Sequence, residues 1–208
     1  MTSKDSILRI TEACSKRDNA DWPGIVVLCT ANVCRSPMAA ALLARRLAGL
    51  GVTVPVCSAG VIGCGDPPHP DVISVMAWYG IEIASHRSRT AGAAELARAS
   101  LVLAMARDSL RYAVITEPQA WPRTFTLKEI VRRGEQIGPR PPGQPLAHWL
   151  SRVHAGRRRA SLLGESPTDD VADPTGGVLH AYADTASLLD RLVARLAELG
   201  WAHAEPRP

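Results

Sequence analysis

Aromatic residues are scarce in this chain. Its 208 residues hold one Phe, three Tyr and five Trp, 4% of the total. They do not interleave with arginines, which argues against the stacking surfaces that hold nucleic acid. Long apolar runs are absent as well, so no segment reads as a membrane span. Residues 1–18, MTSKDSILRITEACSKRD, lack the apolar core of a secretion signal. The expected location is therefore cytoplasmic. Clusters with metal-ligand spacing are also missing: Cys14, Cys57 and Cys64 are scattered and no His-x-x-x-His accompanies them. The cysteines number five, so they cannot all pair within the chain.

What is present suits a globular protein. Hydrophobic residues make up 46%, too many for a disordered chain and enough for one domain with a proper core. The formal net charge is +4, and much of the basic character is local. Between residues 132 and 159, Arg132, Arg133, Arg140, Arg152, Arg157, Arg158 and Arg159 face a single acid, Glu135. Such a band either attracts an acidic partner or forms a solvated helix face.

The most informative stretch is Ile25 to Met38, IVVLCTANVCRSPM. Ile25-Val26-Val27-Leu28 reads as a short buried strand. Ser36-Pro37 ahead of Ala- and Leu-rich sequence reads as a capped helix start, with Pro at the first helical position. The loop between them aims backbone N–H groups and the positive end of a helix dipole at one spot, which makes an anion site. Cys29 opens that loop and Arg35 closes it. The positive field favours the thiolate of Cys29, and Arg35 can grip two oxygens of a phosphoryl group over the sulfur. The pattern predicts a covalent phosphocysteine intermediate.

The segment CTANVCRSP resembles the C-x-G-N-x-C-R-S-P signature of the low-molecular-weight protein tyrosine phosphatases. Cys29, Asn32, Cys34, Arg35, Ser36 and Pro37 match; Ala31 stands where the family usually has Gly. A positive φ at that position would disfavour Ala. The resemblance implies a phosphate-binding loop of Thr30, Ala31, Asn32, Val33, Cys34, Arg35 and Ser36. It also implies a supporting hydrogen-bond network of Asn32, Ser36, Ser58 and His86, with Ser36 donating to the Cys29 sulfur. Neither metal nor organic cofactor is expected, since backbone amides and Arg35 supply the charge stabilisation. Cys29 and Cys34 are close enough in sequence to share a protective disulfide when oxidised.

The chemistry also needs a group that protonates the leaving oxygen and later deprotonates water. Asp173, in Asp169-Asp170-Val171-Ala172-Asp173-Pro174-Thr175-Gly176-Gly177, sits in a turn sequence before the last helix. It resembles the family's Asp-Pro general-acid loop. Asp169 and Asp170 lack the Pro and read as solvating residues. Thr175 replaces the aromatic residue that often follows Asp-Pro in the family. The loop Val61 to Asp66 has no aromatic either, which weakens the case for stacking on a phosphotyrosine ring. Trp78, Tyr79, Trp121, Trp149 and Tyr182 are the rings available to compensate.

Along the chain, helices are expected at Pro37–Leu50, Pro70–Tyr79, Arg107–Ile115, Leu127–Arg133, Leu146–Leu163 and Val178–Leu199. Strands are expected at Ile25–Leu28, Val52–Cys57, Leu101–Met105 and Thr124–Thr126. The alternation predicts an α/β fold: three layers, αβα, around a mostly parallel four-stranded sheet of the flavodoxin-like kind. Residues 1–22 read as an N-terminal extension that forms at most a loose helix. Residues 23–208 read as one phosphatase domain, with an Arg/Pro-rich insertion, relative to the family core, at about 134–165.

The expected function is phosphomonoester hydrolysis, on phosphotyrosine in protein or on a small phosphomonoester, with inorganic phosphate as product and inhibitor. Two alternatives stay open. One is an arsenate reductase on the same scaffold, which relays electrons through downstream cysteines. The other is a non-catalytic phosphate-binding module.

Overall fold

The computed structural model describes residues 24–202; the expected extension at 1–22 lies outside them. Four strands, β1 (Ile25–Cys29), β2 (Val56–Gly60), β3 (Leu101–Ala104) and β4 (Thr124–Thr126), form one sheet in the order β2-β1-β3-β4. Every pairing is parallel, where the sequence promised a mostly parallel sheet. Seven α-helices lie among the described residues: α1 (Arg35–Gly49), α2 (Pro70–Trp78), α3 (Ala93–Arg98), α4 (Arg107–Thr116), α5 (Leu127–Ile137), α6 (Leu146–His154) and α7 (Leu179–Trp201).

Strand side chains alternate between faces, and β1 shows how both faces are covered. Ile25, Val27 and Cys29 join the cluster formed with α1, α2, α5, α6 and α7. Val26 and Leu28 join Leu96 of α3 and Ala113 of α4 on the other side. Burial on two sides leaves no polar face, which is why the strand appears in the sequence as an unbroken apolar run. Of the described helices, none is long and apolar enough to cross a membrane.

Several boundaries differ from expectation. The second strand begins at Val56 rather than Val52 and extends through Ser58-Ala59-Gly60. The helix expected at Leu127–Arg133 runs on through Gly134 to Ile137 and stops at Gly138, whose φ is +89°. Helicity from Leu146 ends at His154 rather than Leu163, giving way to a turn around Gly156 and a short 3₁₀ segment, Arg159–Leu162. Helix α3 was not expected at all; at six residues it is too short to show a helical period.

The arginines of the basic band are bonded within the protein, and Arg132, Arg152, Arg158 and Arg159 remain exposed at its surface. Arg132 pairs with Asp169, and Arg133 donates to the carbonyls of Val153 and Ala155. Arg152 donates to Ile137 O, and Arg140 to the carbonyls of Gly200 and Gln144. Arg157 is bound by both carboxylate oxygens of Glu129 and lies over the rings of Trp121 and Phe125 at 3.9 and 4.1 Å. Arg133, Arg140 and Arg152 thus satisfy carbonyls at helix ends, where a guanidinium's several donors are useful.

Helix α6 belongs to the main core through Trp149, which is fully buried and donates from Nε1 to Gly138 O at 3.0 Å. A Cβ at Gly134 would stand 3.0 Å from the Trp149 ring, so the small residue lets α5 and α6 approach. Trp149→Ala is expected to cost about 3–5 kcal/mol in urea unfolding. A loss below about 1 kcal/mol, the size of a surface change, would mean that α6 is not part of the cooperative core.

Candidate active site

In a parallel sheet all strands end at the same edge, and the strand order reverses between β1 and β3. Ligand sites of open α/β sheets form at that edge and that reversal. The loops after β1, β2 and β3 meet there, and the segment carrying Asp173 joins them through Val171 N–H, which donates to Met105 O at 2.7 Å.

The loop from Cys29 to Arg35 is held with its carbonyls facing outward. Val61 N–H donates to Cys29 O at 3.1 Å, Ile62 N–H to Thr30 O at 2.9 Å, and His69 N–H to Val33 O at 3.0 Å. His86 Nε2 donates to Asn32 O at 2.8 Å. In a planar trans peptide the following N–H points opposite to the carbonyl. The N–H groups of Thr30, Ala31, Val33 and Cys34 therefore point inward, away from these partners. Asn32 N–H donates to Cys29 Sγ at 3.3 Å. Such a ring of amides beside the start of α1 is a nest for an anion.

Asn32 makes the turn possible. Among the described residues it is the only non-glycine with positive φ, at +59°, a region Asn tolerates better than most residues. Ala31 is free of that constraint, so the departure from Gly carries no backbone penalty. The fully buried Asn32 side chain donates from Nδ2 to Ser36 Oγ at 2.9 Å and to Ser58 Oγ at 3.0 Å, while its Oδ1 accepts from Arg89 N–H at 3.0 Å. Asn32, Ser36, Ser58 and His86 thus meet behind the loop.

Ser36 differs from its expected helical role. Helix α1 starts at Arg35 with Cys34 at the cap position and no side-chain cap, so Ser36 is not the capping residue and Pro37 is the third helical residue. The Ser36 hydroxyl lies 3.0 Å from Cys29 Sγ and 3.3 Å from Ala59 O. Gly60 is required by contact rather than by φ, for a Cβ there would fall 2.6 Å from Thr30 O and 2.4 Å from Ile62 O.

Arg35 is almost fully buried and lies across the site. Nη1 donates to Val171 O at 3.0 Å, and Nη2 to Asp173 Oδ2 at 2.5 Å and to Thr30 Oγ1 at 3.4 Å. Cys29, Arg35 and Asp173, far apart in the chain, therefore converge. Asp169 and Asp170 do not merely solvate this loop. Asp169 is buried and receives Arg107 and Arg132 at 2.8 and 2.9 Å. Asp170 accepts from Arg107 N–H, the first residue of α4, and from Ser166 N–H. They anchor the base of the segment whose tip carries Asp173. Burial raises the Asp169 carboxyl, but the hydrogen bonds and charges of Arg107 and Arg132 outweigh it and hold the group low.

Burial, with the negative charges of Asp173 and Cys29, pushes the Cys34 thiol up to about 12 against the opposing pull of Arg35. Cys34 thus stays protonated at neutral pH and is a poor nucleophile. No exposed ring among the candidates walls the site. Trp149 and Tyr182 are fully buried, Tyr182 stacked on His69 at 4.8 Å, and Trp121 lies against Arg157. Trp78 is exposed at the end of α2, and Tyr79 lies under Arg45.

Comparison with known proteins bears on the family and the fold. A family model described as low molecular weight phosphotyrosine protein phosphatase matches residues 24–137. A probable low molecular weight protein-tyrosine-phosphatase, EpsP, of Ralstonia solanacearum is 38% identical over 107 residues, 51% of this chain and 71% of its own length. A protein-arginine-phosphatase of Geobacillus stearothermophilus is 34% identical over 177 residues, 84% of this chain and 93% of its own. The crystal structure of a low molecular weight protein tyrosine phosphatase from T. tengcongensis aligns with a TM-score of 0.63 at 30% identity, covering 84% of this chain and 97% of that one.

The loop support is expected to weaken in acid. Burial holds His86 below its ordinary 6.5, with Arg89 and Arg87 adding to the effect and the bond to Asn32 O opposing it. Between the lowered folded value and 6.5 the unfolded chain binds the extra proton, so stability rises with pH across that window. The urea midpoint should fall as pH drops through this window, and less steeply in His86→Gln. His154, held low by burial and by Arg157 and Arg133, contributes to the remaining slope in the same direction. Equal slopes in the two proteins would contradict the placement of His86.

Proposed function

The chain belongs to the low molecular weight phosphotyrosine protein phosphatase family, and on that footing we propose that it hydrolyses phosphorylated protein side chains through a phosphocysteine on Cys29. The observation that carries the reading is the convergence of a buried cysteine sulfur, an inward-facing amide loop, Arg35 and Asp173 at one strand edge. Phosphate oxygens take the loop amides and the Arg35 guanidinium, which places phosphorus over Cys29 Sγ. Attack by the thiolate displaces the leaving group, which Asp173 protonates. Asp173 then takes a proton from the water that releases phosphate. Ser36, 3.0 Å from the sulfur, donates to the thiolate as it departs. Cys34, kept as a thiol, does not compete for phosphorus.

The depth of the site bears on the substrate. Cys29 is only 3% exposed, so phosphorus reaches it only at the end of a long side chain. That favours phosphotyrosine over phosphoserine, and the family description and the EpsP resemblance favour it too. A second reading, phosphoarginine, is supported by the long match to the Geobacillus protein-arginine-phosphatase and by Thr175 in place of an aromatic wall. Arsenate reduction is disfavoured because neither downstream cysteine, Cys57 or Cys64, is suited to a relay. Cys57 is buried in β2, and the hydrogen bond and charge of Asp66 raise the exposed Cys64 thiol. A pure binding module would need neither Cys29 nor Asp173.

Turnover of p-nitrophenyl phosphate is expected without added metal. Cys29→Ser should abolish it, and Asp173→Ala should lower it about 10²–10⁴-fold. Phosphotyrosine peptide should be the best of the phosphotyrosine, phosphoarginine and phosphoserine peptides; preference for phosphoarginine would select the second reading. Activity retained in Cys29→Ser would refute the mechanism.

A further inference from the structure

The two carboxylate oxygens of Asp173 have different surroundings. Oδ1 accepts two hydrogen bonds from Thr175, one from its N–H at 3.1 Å and one from its Oγ1–H at 2.7 Å. Oδ2 faces Arg35 Nη2 at 2.5 Å, where the phosphoryl group would bind. A carboxylate oxygen has about two acceptor sites, and Thr175 fills both on Oδ1. A proton added to the carboxyl would have to displace Thr175 to sit on Oδ1, so Oδ2 takes it.

The surrounding turn keeps Thr175 in place. Pro174 is buried, Gly176 holds φ at +86°, and Gly177 N–H donates to Pro174 O at 2.9 Å. The hydroxyl is thus directed at Oδ1 by a closed turn rather than by a free rotor.

We propose that Thr175 is a positioning residue for the general acid, reserving Oδ1 for the turn and leaving Oδ2 to carry the transferable proton. The inference rests on the phosphocysteine reading above. As the Cys29 sulfur bonds to phosphorus, the bond from phosphorus to the leaving oxygen breaks with its electron pair on that oxygen, which receives the proton from Oδ2. In the second half, water oxygen bonds to phosphorus and its proton returns to Oδ2. The pair of the sulfur–phosphorus bond returns to sulfur. Oδ1 remains an acceptor throughout, so the two Thr175 bonds persist in both protonation states. The position following Asp173-Pro174 therefore contributes a hydroxyl to the acid rather than a ring to the substrate.

The test compares kcat/KM on phenyl phosphate, whose leaving group needs a proton, with p-nitrophenyl phosphate, whose leaving group needs it less. Thr175→Val keeps the N–H and the shape but removes the hydroxyl. It is expected to lower kcat/KM on phenyl phosphate about tenfold, the scale of one hydrogen bond to a carboxylate, and distinctly less on p-nitrophenyl phosphate. Thr175→Ser should restore both, and Thr175→Val should add no further loss in an Asp173→Ala background. Equal losses on the two substrates, no rescue by Ser, or an undiminished loss in the Asp173→Ala background would overturn the proposal. If Asp173→Ala is impaired while Thr175→Val behaves as wild type, this inference alone fails. If Asp173→Ala itself turns over phenyl phosphate at the wild-type rate, the general-acid reading fails and takes the inference with it.

Discussion

The chemistry proposed for this protein depends on a backbone loop that turns its amides inward, and one residue, Asn32, sustains that turn. A loop with four N–H groups aimed at a common centre is unfavourable on its own, because like dipole ends converge and the chain must adopt a left-handed residue. Asn32 accepts that conformation, and its side chain ties the loop to Ser36, Ser58 and the Arg89 amide. His86 holds the Asn32 carbonyl from outside. Ile62 and His69 hold the neighbouring carbonyls from the connection between β2 and α2. The proposed anion site is thus assembled from three segments of chain, which hydrogen-bond to one another in this structure. Preorganised dipoles of this kind stabilise charge without reorganising during reaction.

The acid side of the site is organised differently. Asp173 reaches Arg35 from a segment far along the chain, and little regular structure supports it. What holds it are polar anchors at its base, Asp169 to Arg107 and Arg132 and Asp170 to the start of α4, together with Val171 between Met105 and Arg35. Rigid anchorage at the base and an exposed tip suit the acid–base role proposed for Asp173. Arg132 is part of this anchorage, so the basic band begins as a support for the acid segment and continues as a set of clamps on helix ends.

Much of this was legible in the sequence because the phosphate loop is local. Cys29, Asn32, Arg35 and Ser36 lie within one strand-loop-helix unit, where spacing is geometry. The sheet was legible for a similar reason: strands buried on both faces leave unbroken apolar runs. Features set by long-range partners were not legible. Ser36 looked like a helix cap because the Ser-Pro pattern often marks one; its contact with Cys29 Sγ depends on how the loop curls. Asp169 and Asp170 looked like solvating acids because Arg107 and Arg132, which hold them, lie tens of residues away. The arginines of 132–159 looked like a patch because carbonyl acceptors at helix ends carry no signature in side-chain composition. Helix α6 was overextended because helical sequence alone does not reveal the turn at Gly156.

The proposed chemistry requires a covalent intermediate at one sulfur. Reacting the enzyme with p-nitrophenyl phosphate, quenching within the first turnovers and mapping phosphate on its peptides by mass spectrometry tests this most directly. The account predicts phosphate on Cys29, with Cys34 unmodified. Absence of any covalent phosphate during active turnover, or its appearance on Cys34 or another residue, would contradict it.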